Sequence, residues 1–145
     1  MKHLAIAALA ALPLPALAAE EVSITGEVID TWCYFSGVMG PPESVTGSAH
    51  HTCAMWCAAG GIPVGVLAED GTVYMVLKWE GNESADGSAA ILDVQSDKIT
   101  ANGELHERDG INYILVAEVT DNAGITANHD EWGIVPPFAI PKPKQ

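Results

Sequence analysis

The sequence predicts a mostly β protein, a small closed or partly open barrel of about five strands with one short helix and an extended proline-rich C-terminal tail. Three observations carry this. Short runs alternate apolar and polar residues at the period of a half-buried strand, turn sequences join later runs into hairpins, and a single stretch carries helix-ending signals.

The first strand runs from Val22 to Asp30, where Val22, Ile24 and Val28 alternate with Ser23, Thr25 and Glu27. Gly26 in its middle suggests a bend or bulge. Cys33 follows directly, in Asp30-Thr31-Trp32-Cys33-Tyr34-Phe35, and a loop from Gly37 to Gly47 contains Pro41 and Pro42. Ser48 can cap a helix through Ala49 to Ala59, which Gly60 and Gly61 end. The runs Pro63 to Ala68 and Thr72 to Trp79 flank Glu69-Asp70-Gly71, a good hairpin turn. Val73, Met75 and Leu77 share one face of that hairpin. After an exposed loop from Gly81 to Gly87, Lys98 to Glu107 and Ile111 to Thr120 flank Arg108-Asp109-Gly110 as a second hairpin. The run from Ile111 to Val119 is apolar on both faces and is expected to be central or closed over. Pro136, Pro137, Pro141 and Pro143 exclude a helix from the tail, which is expected to lie extended.

Strand, hairpin, connection, hairpin, with glycine inside the first strand, is similar to the order of an OB-fold barrel. That resemblance implies no function. Many OB-folds bind single-stranded nucleic acid through a basic groove, but here only Lys78, Lys98 and Arg108 are basic between Glu20 and Ile140. The formal charge of the whole chain is −13. Such a surface repels nucleic acid and anionic lipid and favours cationic partners or metal ions.

At the N-terminus Lys2 and His3 precede an apolar run from Leu4 to Leu17 that ends in Ala16-Leu17-Ala18, the pattern of a signal peptide cut after Ala18. The run is shorter than the roughly 20 residues a spanning helix needs; a retained anchor is the alternative. The division expected is a signal peptide at 1–18, a single β-barrel domain at 19–132 and the tail at 133–145. The protein is therefore expected to be periplasmic or secreted.

All three cysteines lie between positions 33 and 57. In the pattern His50-x-x-Cys53-x-x-x-Cys57 the three side chains fall within about 60° of one another around a helix, so they project from one face. His51 points about 100° away from His50, and Met55 lies further round. If the end of the first strand packs against the helix, Cys33 supplies a fourth donor. The resulting set, Cys33, His50, Cys53 and Cys57, suits a tetrahedral zinc ion or copper(I). The competing reading is a disulfide from Cys33 to Cys53 or Cys57, which leaves an odd thiol over. Thiol redox activity is a third reading, without the Cys-x-x-Cys of a thioredoxin-like βαβ unit behind it.

Asp30-x-x-Cys33-Tyr34, His50-x-x-Cys53-Ala54-x-x-Cys57 and Gly61-x-Pro63-Val64-Gly65 together resemble the pattern of a family of small exported bacterial proteins. The match covers about a third of the chain beyond residue 18, and the resemblance implies no particular activity. The Cys-x-x-x-Cys pair is also similar to that of copper-handling oxidase assembly factors and of the binuclear copper site of cytochrome oxidase subunit two. The downstream His and Met of that binuclear site are missing here.

The sequence thus points to a non-enzymatic exported protein that holds a soft metal, copper for delivery, storage or defence, or zinc for stability. A periplasmic or membrane-attached protein partner would go with the alternative role of accessory subunit. Weaker candidates are a second cation site in His129-Asp130-Glu131-Trp132, against a solvated loop, and His106, expected at the surface. Met39, Met55 and Met75 could offer thioethers, although Met75 reads as packing. Trp32, Trp56 and Trp79 are expected to fill the core or screen the site.

Overall fold

The computed structural model describes residues 19–81, 83 and 89–127. The expected signal peptide, the His129 to Trp132 stretch and the proline-rich tail lie outside the described residues. Five strands are present: β1 (Glu20–Asp30), β2 (Val64–Ala68), β3 (Val73–Trp79), β4 (Asp97–Arg108) and β5 (Ile111–Ile125). Their hydrogen bonding runs β1-β2-β3-β5-β4 and returns to β1, a ring of five strands. All neighbours are antiparallel except β3 and β5, which are parallel. Both expected hairpins form, and β5 lies between β3 and β4 with Ile114 and Val116 turned into the core, but its outer face is not closed over, since Ile111 is 43 % exposed.

The ring closes because β1 serves two neighbours in succession. Residues Glu20 to Glu27 pair with β4, and Gly26 to Asp30 pair with β2, so Gly26 and Glu27 pair on both sides. The register through Gly26 is regular, so the bulge expected there is absent. Glycine is needed for close approach instead: a Cβ would lie 2.4 Å from the Leu67 carbonyl oxygen. Gly103 on β4 is in the same position against the Leu115 carbonyl oxygen, at 2.2 Å.

Inside the ring Ile24, Val28, Val64, Val66, Ile99, Ala101, Ile114 and Val116 form the buried core. The first hairpin faces the opposite way from the simplest reading of its pattern. Tyr74 and Val76 pack against the core, whereas Leu77 is 60 % exposed and Val73 and Met75 line an outer cavity. Of the tryptophans, Trp79 packs on the core, while Trp32 and Trp56 are exposed.

Two α-helices and a short 3-10 helix (Pro42–Ser44) stand between β1 and β2. The longer, α2 (Gly47–Ala59), is the one expected, but Ser48 is not its cap. The Glu27 carboxylate accepts from the Gly47 N–H at 2.6 Å, and the Thr126 carbonyl accepts from the Ser48 N–H at 2.9 Å. Tertiary partners thus satisfy the first-turn donors that a side-chain cap would otherwise take. The shorter helix, α1 (Thr31–Ser36), was not anticipated. Its signals are present in the sequence: Asp30 accepts from the Cys33 N–H, and Gly37 ends it at φ 63°. A third, four-residue helix, α3 (Ala90–Asp93), precedes β4.

Two outcomes are expected. Gly103→Ala forces β4 away from β5 and lowers stability by about 3 kcal/mol, read by urea denaturation, because overpacked backbone contacts relax poorly. Burial pushes the Glu27 carboxyl up to about 7, against the lowering effect of the Gly47 N–H. A carboxyl whose folded pKa exceeds its unfolded value of 4.5 costs nothing below that pH, and stability falls as pH rises from there through about 7. Glu27→Gln should therefore flatten the pH profile and be the more stable protein at pH 8, by about 2 kcal/mol. Denaturation of both proteins at pH 4.5 and pH 8 checks this; equal slopes would exclude Glu27 as the cause.

Candidate metal centre

The site lies where β1 ends and α1 begins. Asp30, the last residue of β1, continues the inward series of Ile24 and Val28 and is 1 % exposed. Its Oδ1 accepts from the Cys33 N–H at 3.1 Å, which caps α1 and brings the Cys33 side chain to the same place. From α2, packed against β1, Cys53 and Cys57 project one turn apart from one face. One carboxylate oxygen of Asp30 and the sulfurs of Cys33, Cys53 and Cys57 all lie within 4.8 Å of one another. The three cysteines are free thiols; Cys33 is buried, and Cys53 and Cys57 are half-buried.

All three expected cysteines are thus brought together, and the strand end meets the helix as anticipated. The fourth member of the set is Asp30 rather than His50. His50 is buried and stands beside the set, with Nε2 3.5 Å from Asp30 Oδ2. Neither of these two buried atoms has a hydrogen-bond partner. The helical face groups His50 with the cysteines correctly, but from one turn towards the N-terminus its ring meets the carboxylate. Asp30 carries a signal in the sequence, three residues before Cys33, yet that spacing also describes a helix cap. In this chain it serves as a cap and faces the thiols.

Electrostatics couple the four groups. Burial pushes the Cys33 thiol up to about 11, helped by the adjacent Asp30 carboxylate. The carboxylate is the main reason that Cys57 is pushed up to about 12, with burial second. For Asp30 itself burial acts upward, but the Cys57 thiol, the Cys33 N–H and thiol, and His50 outweigh it and leave the carboxyl below its ordinary value. The Asp30 carboxylate therefore sits beside two thiols, Cys33 and Cys57, that are held protonated. Such thiols are poor nucleophiles, since the thiolate is the reactive form. A cation that binds as a thiolate complex must displace their protons.

The other candidates fall elsewhere. His51 Nδ1 is 2.9 Å from the Gln95 carbonyl oxygen, away from the thiols. His106 is at the surface, with Nε2 3.1 Å from Glu104. Met39 is 52 % exposed, and Met55 lines an outer groove of α2 with Trp56. Among the described residues no helix is long and apolar enough to cross a membrane. No protein-family description, curated protein or solved structure matches this chain.

The double duty of Asp30 gives a direct test. Asp30→Ala in the metal-free, reduced protein should lower stability by about 1–2 kcal/mol through loss of the α1 cap, and Asp30→Asn should retain most of that cap. Thermal denaturation of the three proteins measures the difference.

Proposed function

We propose that this protein is an exported, non-enzymatic metal-binding protein that holds one soft or borderline cation through Cys33, Cys53 and Cys57, with Asp30 completing the site. The observation that carries the reading is the convergence of four donor atoms within 4.8 Å on three different elements. A second observation supports it: Asp30 Oδ2 is buried without a well-formed hydrogen bond, its neighbours being His50 Nε2 at 3.5 Å and the thiols, so a coordination position is open to a cation. Three thiolates and one carboxylate suit tetrahedral zinc(II). Copper(I), the other candidate, would rest on the three thiolates alone, since soft ions prefer sulfur. With zinc, His50, behind Asp30, would orient the carboxylate as an outer partner of a metal ligand does.

Export rests on residues 1–18, whose charged start, apolar run and Ala16-Leu17-Ala18 make a signal peptide. In an oxidising compartment metal binding would also protect three clustered thiols that could otherwise pair. The raised Cys33 and Cys57 thiols weigh against a thiol-exchange role. Delivery, storage or defence are all compatible with a site whose two half-buried cysteines are within reach of an exchanging ligand.

Reduced protein loaded anaerobically with zinc(II) or copper(I) and analysed for metal by mass spectrometry should carry one ion per chain. Cys53→Ser and Cys57→Ser should abolish this and His51→Ala should not. His50→Ala should weaken zinc affinity by roughly 10- to 100-fold without removing the site. Metal retained equally by Cys57→Ser, or a quantitative disulfide in place of metal, would replace this reading with a structural disulfide.

A further inference from the structure

On the outer side of the ring, α1 overhangs a cavity of about 580 Å³ between the turns of the two hairpins, and no cysteine lines it. Its volume falls in the range of small-molecule sites. Three aromatic rings, Tyr34, Phe35 and Tyr113, line it together with Val73, Met75 and Ile111. Phe35 and Ile111 remain 63 % and 43 % exposed, so the apolar surface is left open to a ligand. From these features we propose that the cavity binds an organic cation with an apolar body, an ammonium group carried on an aliphatic or aromatic chain.

The rings and the aliphatic side chains would take the body of such a ligand, and aromatic faces attract an ammonium group through their negative quadrupole. The charge of the neighbouring turns favours a cation. Gly71 and Gly110 line the cavity at φ +86° and +79° and directly follow Asp70 and Asp109 in the chain; Asp109 is paired with Arg108, so Asp70 is the acid that this argument uses. The Thr72 N–H bonds Asp70 Oδ1 at 2.9 Å and holds that carboxyl below its ordinary pKa, so it stays ionised. The cations of the described residues are each engaged with a carboxylate: Lys78 with Glu80, Lys98 with Glu69, and Arg108 with Asp109. No cationic side chain lines the cavity. An anionic ligand would meet no counter-charge there, and a neutral one would gain apolar contact but nothing from the rim.

The test uses hexyltrimethylammonium, hexanol and hexyl sulfate, which share one chain and differ in the head group. Calorimetric titration into reduced, metal-free protein at low salt keeps the result independent of the metal site. The cation should bind about tenfold more tightly than hexanol, and the sulfate not measurably. Added salt should weaken the binding of the cation. Methyl and ring resonances of Met75, Tyr34 and Tyr113 should shift on titration. Phe35→Ala should cut the affinity severalfold, while Leu77→Ala, on the exposed part of β3, should leave it unchanged; circular dichroism of both variants verifies the fold. Equal binding of all three probes, preference for the sulfate, no saturable binding in the millimolar range, or full affinity in folded Phe35→Ala would each overturn the proposal.

Discussion

A single buried carboxylate organises the cysteine-bearing end of this molecule. Asp30 ends the strand that closes the ring, caps the helix that begins beside it, and faces three thiols and a histidine. Burying such a group is costly unless its lone pairs are met. One oxygen accepts from the Cys33 N–H, and the other is left without a hydrogen-bond partner among groups that a cation could bridge. The cap and the candidate centre therefore share one residue. The orientation of α1, the position of Cys33 and the negative charge felt by Cys57 all follow from it.

The scaffold that holds Asp30 depends on close approaches of backbone. Two glycines, Gly26 and Gly103, let neighbouring strands come nearer than any side chain would permit. Gly26 does so where β1 changes partner from β4 to β2, so the turn of the ring and the placement of the last four residues of β1 are one feature. The start of α2 is held on the same strand by Glu27, three residues before Asp30. Both sides of the centre are thus referred to β1, and relative movement of the two cysteine-bearing helices must strain that strand or break the Glu27 bond.

The distribution of exposed apolar groups follows from this arrangement. Tyr74 and Trp79 pack against the aliphatic core of the ring, while Tyr34 and Phe35 of α1 and Tyr113 line the cavity outside it. Trp56 is 77 % exposed on α2, directly before Cys57. These surfaces flank a chain whose described cations are each engaged with an acid. Exposed apolar groups thus sit on a chain of net charge −13.

By itself the sequence determined the strand-rich class, both hairpins, the main helix and the grouping of three cysteines. These follow from local rules: period two for strands, glycine-bearing turns, and angular spacing along a helix. The helix α1 was legible in the same terms, since Asp30 and Gly37 are ordinary cap residues around it, although its six residues are too few to show a period. Tertiary structure decided what depends on groups distant in the chain. Glu27 and Thr126 displaced Ser48 as partners of the first turn of α2, because donors at a helix end take whichever acceptor the fold brings near. The first hairpin turned Tyr74 and Val76 inward instead of Met75 and Leu77, since alternation defines two faces but does not say which one meets the core. Asp30, not His50, joined the cysteines for a similar reason. Helical spacing sorts side chains by direction, but only the meeting of β1 with α2 sets how far each donor lies from the common centre.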